Sequence, residues 1–253
     1  MVVRRWLLIM MCAASLVLAD EAPVPGKVIL ASEEWSNYTN KDGSGLAWDV
    51  LRQVFEPAGI TLQTRTEPYT RSVGLAQRGE VDGWVGAYRD EASGVSYPHW
   101  HFDADHIYAL GLATAPTPSL ATLGNYRLAW VRGYRYEAYL PNVHHFNQIE
   151  RRDGILPMLQ HARVDYYIDS LTEAKHVLSQ SDEPSQFKLT HIAELPLYIG
   201  FADTERGRAL MAVYDRRMAA LVKNGELKRF SSAGSSRIHF DLHRTWTKAN
   251  RTY

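Results

Sequence analysis

Eight side chains carry the chemistry this sequence offers: Trp35, Tyr38, Tyr69, Arg71, Tyr88, Arg89, Arg132 and Asp169. Trp and Tyr each present a flat apolar face with a polar tip. A guanidinium presents a planar fork of donors that meets a carboxylate at two points, and Asp169 adds an acceptor for an amine. Such a set suits a small molecule with a flat or apolar body, an anionic group and a cationic amine. It is a set for holding rather than reacting. Asp169, Glu33 and His99 are available as bases, yet no nucleophile, base and orienting group stand in a recognisable pattern.

A second chemical candidate is the run PHWHFDADH, Pro98 to His106, with His99, His101, Asp103, Asp105 and His106. Alternation on an extended segment would aim several imidazoles and carboxylates the same way, as zinc or copper requires. No helical i, i+4 pair and no cysteine supports a metal there. The segment reads instead as a loop ahead of a strand, its histidines exposed or hydrogen-bonded. No metal site and no cofactor are assigned.

The elements that must position these residues follow a repeating order. Lys27 to Ser32 reads as a strand, and Trp35 and Tyr38 lie in the loop beyond it. Leu46, Val50, Leu51 and Val54 recur at helical spacing, and Pro57-Ala58-Gly59 stops that helix. Asp49 lies inside it and reads as a structural carboxylate. Ile60 to Thr66 alternates as a strand, Pro68-Tyr69-Thr70 breaks it, and Val73, Leu75 and Ala76 predict a second helix ending at Gly79 with Thr70 as its cap. Val81 to Ala87 is a short apolar run, as expected of a buried strand, and Tyr88 and Arg89 leave it. Strands alternating with helices across short connections form parallel βαβ units, which bind ligands beyond the carboxyl ends of their strands.

The same order returns later. Tyr126 to Val131 predicts a strand, with Arg132-Gly133-Tyr134 after it and a helix over Tyr134 to Leu140 whose amino end suits an anion. LPMLQHARVDYYIDS parallels VGLAQRGEVDGWVGAY, both reading helix, turn, Val-Asp, buried strand. Asp169 ends the later strand, with a second role open to it as cap of a helix over Leu171 to Leu178. Ile107 to Ala113 and Leu195 to Ala202 are two apolar crossover strands, and Thr114 to Ser119 has the Pro/Thr composition of a hinge loop. Glu205 to Leu221 is an amphipathic helix closed by Asn224-Gly225. Leu227 to Phe230 predicts another short helix, and Trp246 to Tyr253 a loose tail.

The succession D-G-x-G-L-x-x-D from Asp42, P-Y-x-R from Pro68 and G-E-V-D-G-x-x-G from Gly79, with Tyr88 and Arg89 following, resembles the periplasmic solute-binding proteins of polar amino-acid ABC transporters. Order and spacing carry the resemblance, which runs from about Lys27 to Phe230. It implies an α/β, two-lobed type II periplasmic-binding-protein fold with a hinge of two crossover strands. Lobe 1 would take residues 20–113 and 196–253, and lobe 2 residues 114–195. It also implies a monomer that delivers a small polar ligand, an amino acid or related amine or carboxylate, to an ABC transporter's membrane component. By the same resemblance, Trp35 and Tyr38 stack on the ligand and Asp169 holds its amino group. The chain departs from the family where a hydroxyl residue and a later arginine usually stand: Gly86-Ala87-Tyr88-Arg89-Asp90-Glu91 sets its arginine early. A sensor or orphan binding module of the same fold is the alternative, and a dehydratase-like periplasmic enzyme a further one; the chain is read as a non-enzyme.

Arg4 and Arg5, the apolar run Trp6 to Leu18 and the small residue Ala19 read as a cleavable signal peptide over residues 1–19, hence a periplasmic protein. The run is too short to span a bilayer, which takes ~20 residues. Cys12, the one cysteine, leaves with it; bulky Met11 argues against a lipoprotein site. The whole chain balances 28 basic against 28 acidic residues, and loss of the leader leaves a slight acidic excess. That balance argues against nucleic acid or an anionic membrane as a partner.

Overall fold

The computed structural model describes residues 25–226, so the expected leader and the elements after Leu227 lie outside the described residues. The chain is mixed α/β. A first group of strands begins with β1 (Lys27–Ser32), β2 (Thr61–Thr66) and β3 (Gly83–Ala87), with β1 parallel to both others. Helices α1 (Leu46–Phe55) and α2 (Tyr69–Gln77) make the crossovers. The two-residue β4 (Val95–Ser96) follows, and then β5 (Asp103–Leu112) leaves for the second group.

The second group repeats the plan. β6 (Leu128–Val131) lies parallel to β7 (Phe146–Ile149) and to β8 (Tyr166–Ser170), with α3 (Ile155–Gln160) between β7 and β8 and α4 (Leu171–Ser179) after them. β9 (Phe187–Ala202) then runs sixteen residues back. Its first part pairs antiparallel with β5, which pairs with β8, and its last part pairs antiparallel with β3 and β4. Strand order is therefore β2-β1-β3-β9-β5-β8-β6-β7, hydrogen-bonded throughout because β9 serves both groups. Each group is a parallel trio closed by one antiparallel strand that the chain brings from the other half.

Helix α5 (Glu205–Asn224) covers the first group. Its apolar stripe Leu210, Val213, Tyr214, Met218 and Leu221 is buried, and Phe55 of α1 meets Tyr214 at 6.1 Å. Thr204 caps it by accepting from Gly207 N at 2.9 Å, and Gly225 ends it at φ +69°. Trp48, Phe55, Trp84, Phe201 and Tyr214 share one continuous core with Trp130, Tyr136 and Tyr166 of the second group, and Tyr167 packs with Leu110, Ile155 and Leu159 in a smaller second cluster. Full burial of such side chains contributes ~1.5–3 kcal/mol each. No helix among the described residues is long and apolar enough to cross a membrane.

Three local expectations are corrected. Tyr134 to Leu140 does not form a helix; only a 3-10 turn over Tyr136–Ala138 does, because Gly133 at φ +93° and Arg135 at φ +52° interrupt it. Thr70 sits inside α2, whose cap position is Pro68. The cap of α4 is Ser170, whose hydroxyl accepts from Glu173 N at 3.2 Å, so Asp169 is left for other work. The crossover strands also start earlier than their apolar runs suggest: β5 takes in Asp103 and Asp105, and β9 begins at Phe187.

Candidate functional site

Six loops or helix starts leave the carboxyl ends of the parallel strands, three from each group, and they interlock. The centre is Arg152, in the turn after β7. Its Nε lies 3.0 Å from Asp169 Oδ2 and 3.3 Å from Glu173 Oε2, both after or at the end of β8. Its Nη1 lies 3.5 Å from Glu33 Oε1, from the loop after β1 in the other group. Nε also donates to the Tyr167 hydroxyl at 3.1 Å, and that hydroxyl donates to Asp169 Oδ2. One guanidinium thus faces three carboxylates, with side chains 17% exposed for Arg152 and 1% for Asp169.

Tyr134, just after β6, joins the two groups. Its hydroxyl accepts from Arg152 Nη2 at 2.7 Å and from Trp35 Nε1 at 3.1 Å, and donates to Glu33 Oε2 at 3.3 Å. One donor and two acceptor positions are all a tyrosine hydroxyl has, so this one is fully used. Around it the rings are contiguous. Tyr69 meets Tyr134 edge-on at 5.3 Å, Trp35 lies 6.1 Å from Tyr69 and 6.3 Å from Tyr38, and Tyr88 packs against Tyr139 at 4.8 Å and Tyr136 at 6.1 Å.

Two glycines permit the approach. A Cβ on Gly133, already at φ +93°, would stand 2.5 Å from the Thr70 methyl across the groups. A Cβ on Gly86, at φ +88°, would stand 2.5 Å from the Trp35 ring. Only glycine meets both demands at little cost.

A second set of carboxylates lines the first-group side and the hinge, each bound to tyrosine. Tyr38 donates to Asp103 Oδ2 at 2.7 Å, Tyr88 to Asp105 Oδ2 at 3.0 Å, and Tyr69 to Glu91 at 2.8 Å. Burial raises Asp103, Asp105 and Glu91 to about 7, with the Asp169 charge adding to it at Asp105; tyrosine hydroxyls at all three, backbone amides at Asp103 and Glu91 and the Arg135 charge at Glu91 offset only part of it. Burial also raises Glu173 to about 7 despite Arg152, and raises Glu33. For Arg152 burial opposes the charge, but Asp169 and its neighbours outweigh it and hold the guanidinium protonated. The site is therefore rich in carboxylates that retain protons near neutrality for want of enough cations.

The eight sequence candidates divide. Trp35, Tyr38, Tyr69, Tyr88 and Asp169 fall in this one cluster. Arg71 pairs with Glu67 at 3.1 Å with its side chain 61% exposed, and Arg132 with Glu150 at 2.7 Å with 59% exposed. Arg89 stands at the margin: its Nη2 donates to Pro98 O at 2.8 Å and its guanidinium lies 4.5 Å over the Tyr198 ring. Arg152, Tyr134, Tyr136 and Glu173 were missed. The signal for Arg152 was present, since it follows Phe146 to Ile149 as the other candidates follow their strands, but that short strand went unrecognised.

No protein-family model and no curated protein matches the chain. Solved structures do. The substrate-binding protein of an amino acid ABC transporter superposes with TM-score 0.61 at 16% identity, over 81% of this chain and 97% of its own. A histidine kinase sensor domain with similarity to periplasmic binding proteins gives 0.64 at 16%, over 81% and 93%. The GluR0 ligand-binding core in complex with L-glutamate gives 0.62 at 15%, over 81% and 96%. At these identities the likeness is one of fold: the chain has the type II periplasmic-binding-protein architecture.

Proposed function

We infer that the two strand groups are lobes, one of residues 114–195 and the other of the described residues on either side of that span, and that they close on a small amine-bearing solute in the periplasm. One observation carries this: loops from both groups bury a single cluster of tyrosine and tryptophan faces with more carboxylates than cations. A cationic amine entering that cluster replaces the proton on Glu173 as counter-charge, and aromatic faces add cation–π attraction. Because the ligand touches both lobes, it binds their closed arrangement preferentially. Amino acids and related amines are the candidate solutes, delivered by a monomer to an ABC transporter, a reading supported by the likeness to the substrate-binding protein of an amino acid ABC transporter. The likeness to a histidine kinase sensor domain favours a sensory module as the second reading.

A thermal-shift screen with amino acids, polyamines, opines and small carboxylates tests the ligand class, since a ligand at 100 times its Kd adds ~2.7 kcal/mol. Amine-bearing compounds should raise the midpoint, and more at pH 8 than at pH 6, because the carboxylates they need lose their protons near 7. Asp169→Asn should remove the preference for amines while the fold persists. A response only to carboxylates lacking an amine would overturn the reading.

A further inference from the structure

The histidine-rich run before the second lobe does not gather on itself. His101 is buried with Nδ1 2.9 Å from Asp103 O, and His99 stacks edge-on against Trp100 at 5.0 Å. His106 instead meets two residues of β9. In the β5–β9 pair His106 stands opposite Glu194 and Ile107 opposite Ala193, and then the register slips so that Tyr108 faces His191. Regular pairing would set Ile192 opposite Tyr108. The bulge turns Ile192 into the core, 8% exposed, and brings His191 to the face shared by His106, Tyr108 and Glu194. Bulges commonly re-aim a side chain in this way.

We propose that His106, His191 and Glu194 form a divalent metal site, best suited to Zn²⁺, clasping β5 to β9 where the two strands link the lobes. One ligand atom from each of the three lies within 4.8 Å of the others. His106 Nδ1 and Glu194 Oε1 are 3.5 Å apart, long for a hydrogen bond. Ligands held 2.0–2.1 Å from a tetrahedral ion stand about 3.4 Å apart, so that pair already spans one edge of the polyhedron. His191 is exposed and closes the rest by side-chain rotation, steadied by the Tyr108 ring 5.2 Å away. Two imidazoles and one carboxylate are ligands of zinc's preferred hardness, and solvent supplies the fourth.

Calorimetry of the full chain with Zn²⁺ at pH 7.5, beside Co²⁺ absorption spectra, tests this. One ion should bind per chain, and Co²⁺ should show the intense visible bands of four-coordination. His191→Ala and Glu194→Gln should each weaken Zn²⁺ binding at least ~tenfold, a loss of about 1.4 kcal/mol or more, with unchanged far-UV circular dichroism. His99→Ala should leave it unchanged. No one-to-one binding, the weak spectrum of six-coordinate Co²⁺, or affinity indifferent to His191→Ala would overturn the proposal.

Discussion

Arg132 and Arg152 leave adjacent parallel strands, β6 and β7, yet they inhabit different physics. Arg132 makes the shorter ion pair, 2.7 Å to Glu150, with both side chains more than half exposed. Arg152 makes longer ones, 3.0 to 3.5 Å, to three carboxylates in a site largely closed to water. Distance is the wrong guide to consequence. In water a pair at contact gains little because solvent screens it and two long side chains lose freedom. Out of water the same charges are costly to leave alone, so removing one partner is severe even where the intact pair adds little.

The largest test of this contrast is Arg152→Met. It strands Asp169, Glu173 and Glu33 together and should cost about 3–5 kcal/mol at pH 7.5 by urea denaturation. The deficit should shrink at pH 5.5, where the stranded carboxylates protonate. A variant as stable as the parent at pH 7.5 would show that the network does not close in solution.

The wild-type protein should show the same imbalance more mildly. Asp103, Asp105, Glu91 and Glu173 are raised to about 7 in the fold, against about 4 when unfolded. Between those values the native state holds more protons than the unfolded state, so stability falls as pH rises from about 4 to about 7 and levels above it. Each retained proton contributes at most ~1.4 kcal/mol per pH unit. Denaturation should therefore find the protein about 1–2.5 kcal/mol more stable at pH 6 than at pH 7.5, allowing for one to two such protons. A midpoint that climbs with pH across this range would reverse the assignment.

Gly133→Ala probes the approach of the two groups rather than their charges. The positive φ and the Cβ 2.5 Å from Thr70 should cost at least ~1 kcal/mol, measured by thermal denaturation. The smallest effect belongs to Arg132→Ala, within ~0.5 kcal/mol of the parent and without change in solute binding by calorimetry. A larger loss in either measurement would return Arg132 to the site.

Much of the architecture was legible because it rests on local signals. Period-3.6 apolar spacing gave α1 and α5, turn residues gave their ends, and the doubled helix-turn-Val-Asp-strand pattern announced two similar halves. Aromatic residues after strand ends were legible too, since Trp35, Tyr38, Tyr69 and Tyr88 need only the order of elements to be placed. The arginines were not ranked correctly against one another. Arg71, Arg132 and Arg152 look alike in a sequence, and each follows a strand or opens a helix.

What the sequence by itself determined was the sequence of strands and helices, and hence that their carboxyl ends would offer aromatic and charged side chains to one region. Tertiary structure alone decided which charges lose their water. Glu33 meets Arg152 only because β9 and β5 carry the two groups face to face, and His106 meets His191 only because one extra residue slips into that same strand pair. Neither encounter leaves a local trace, because solvent exclusion and strand register depend on partners far away along the chain.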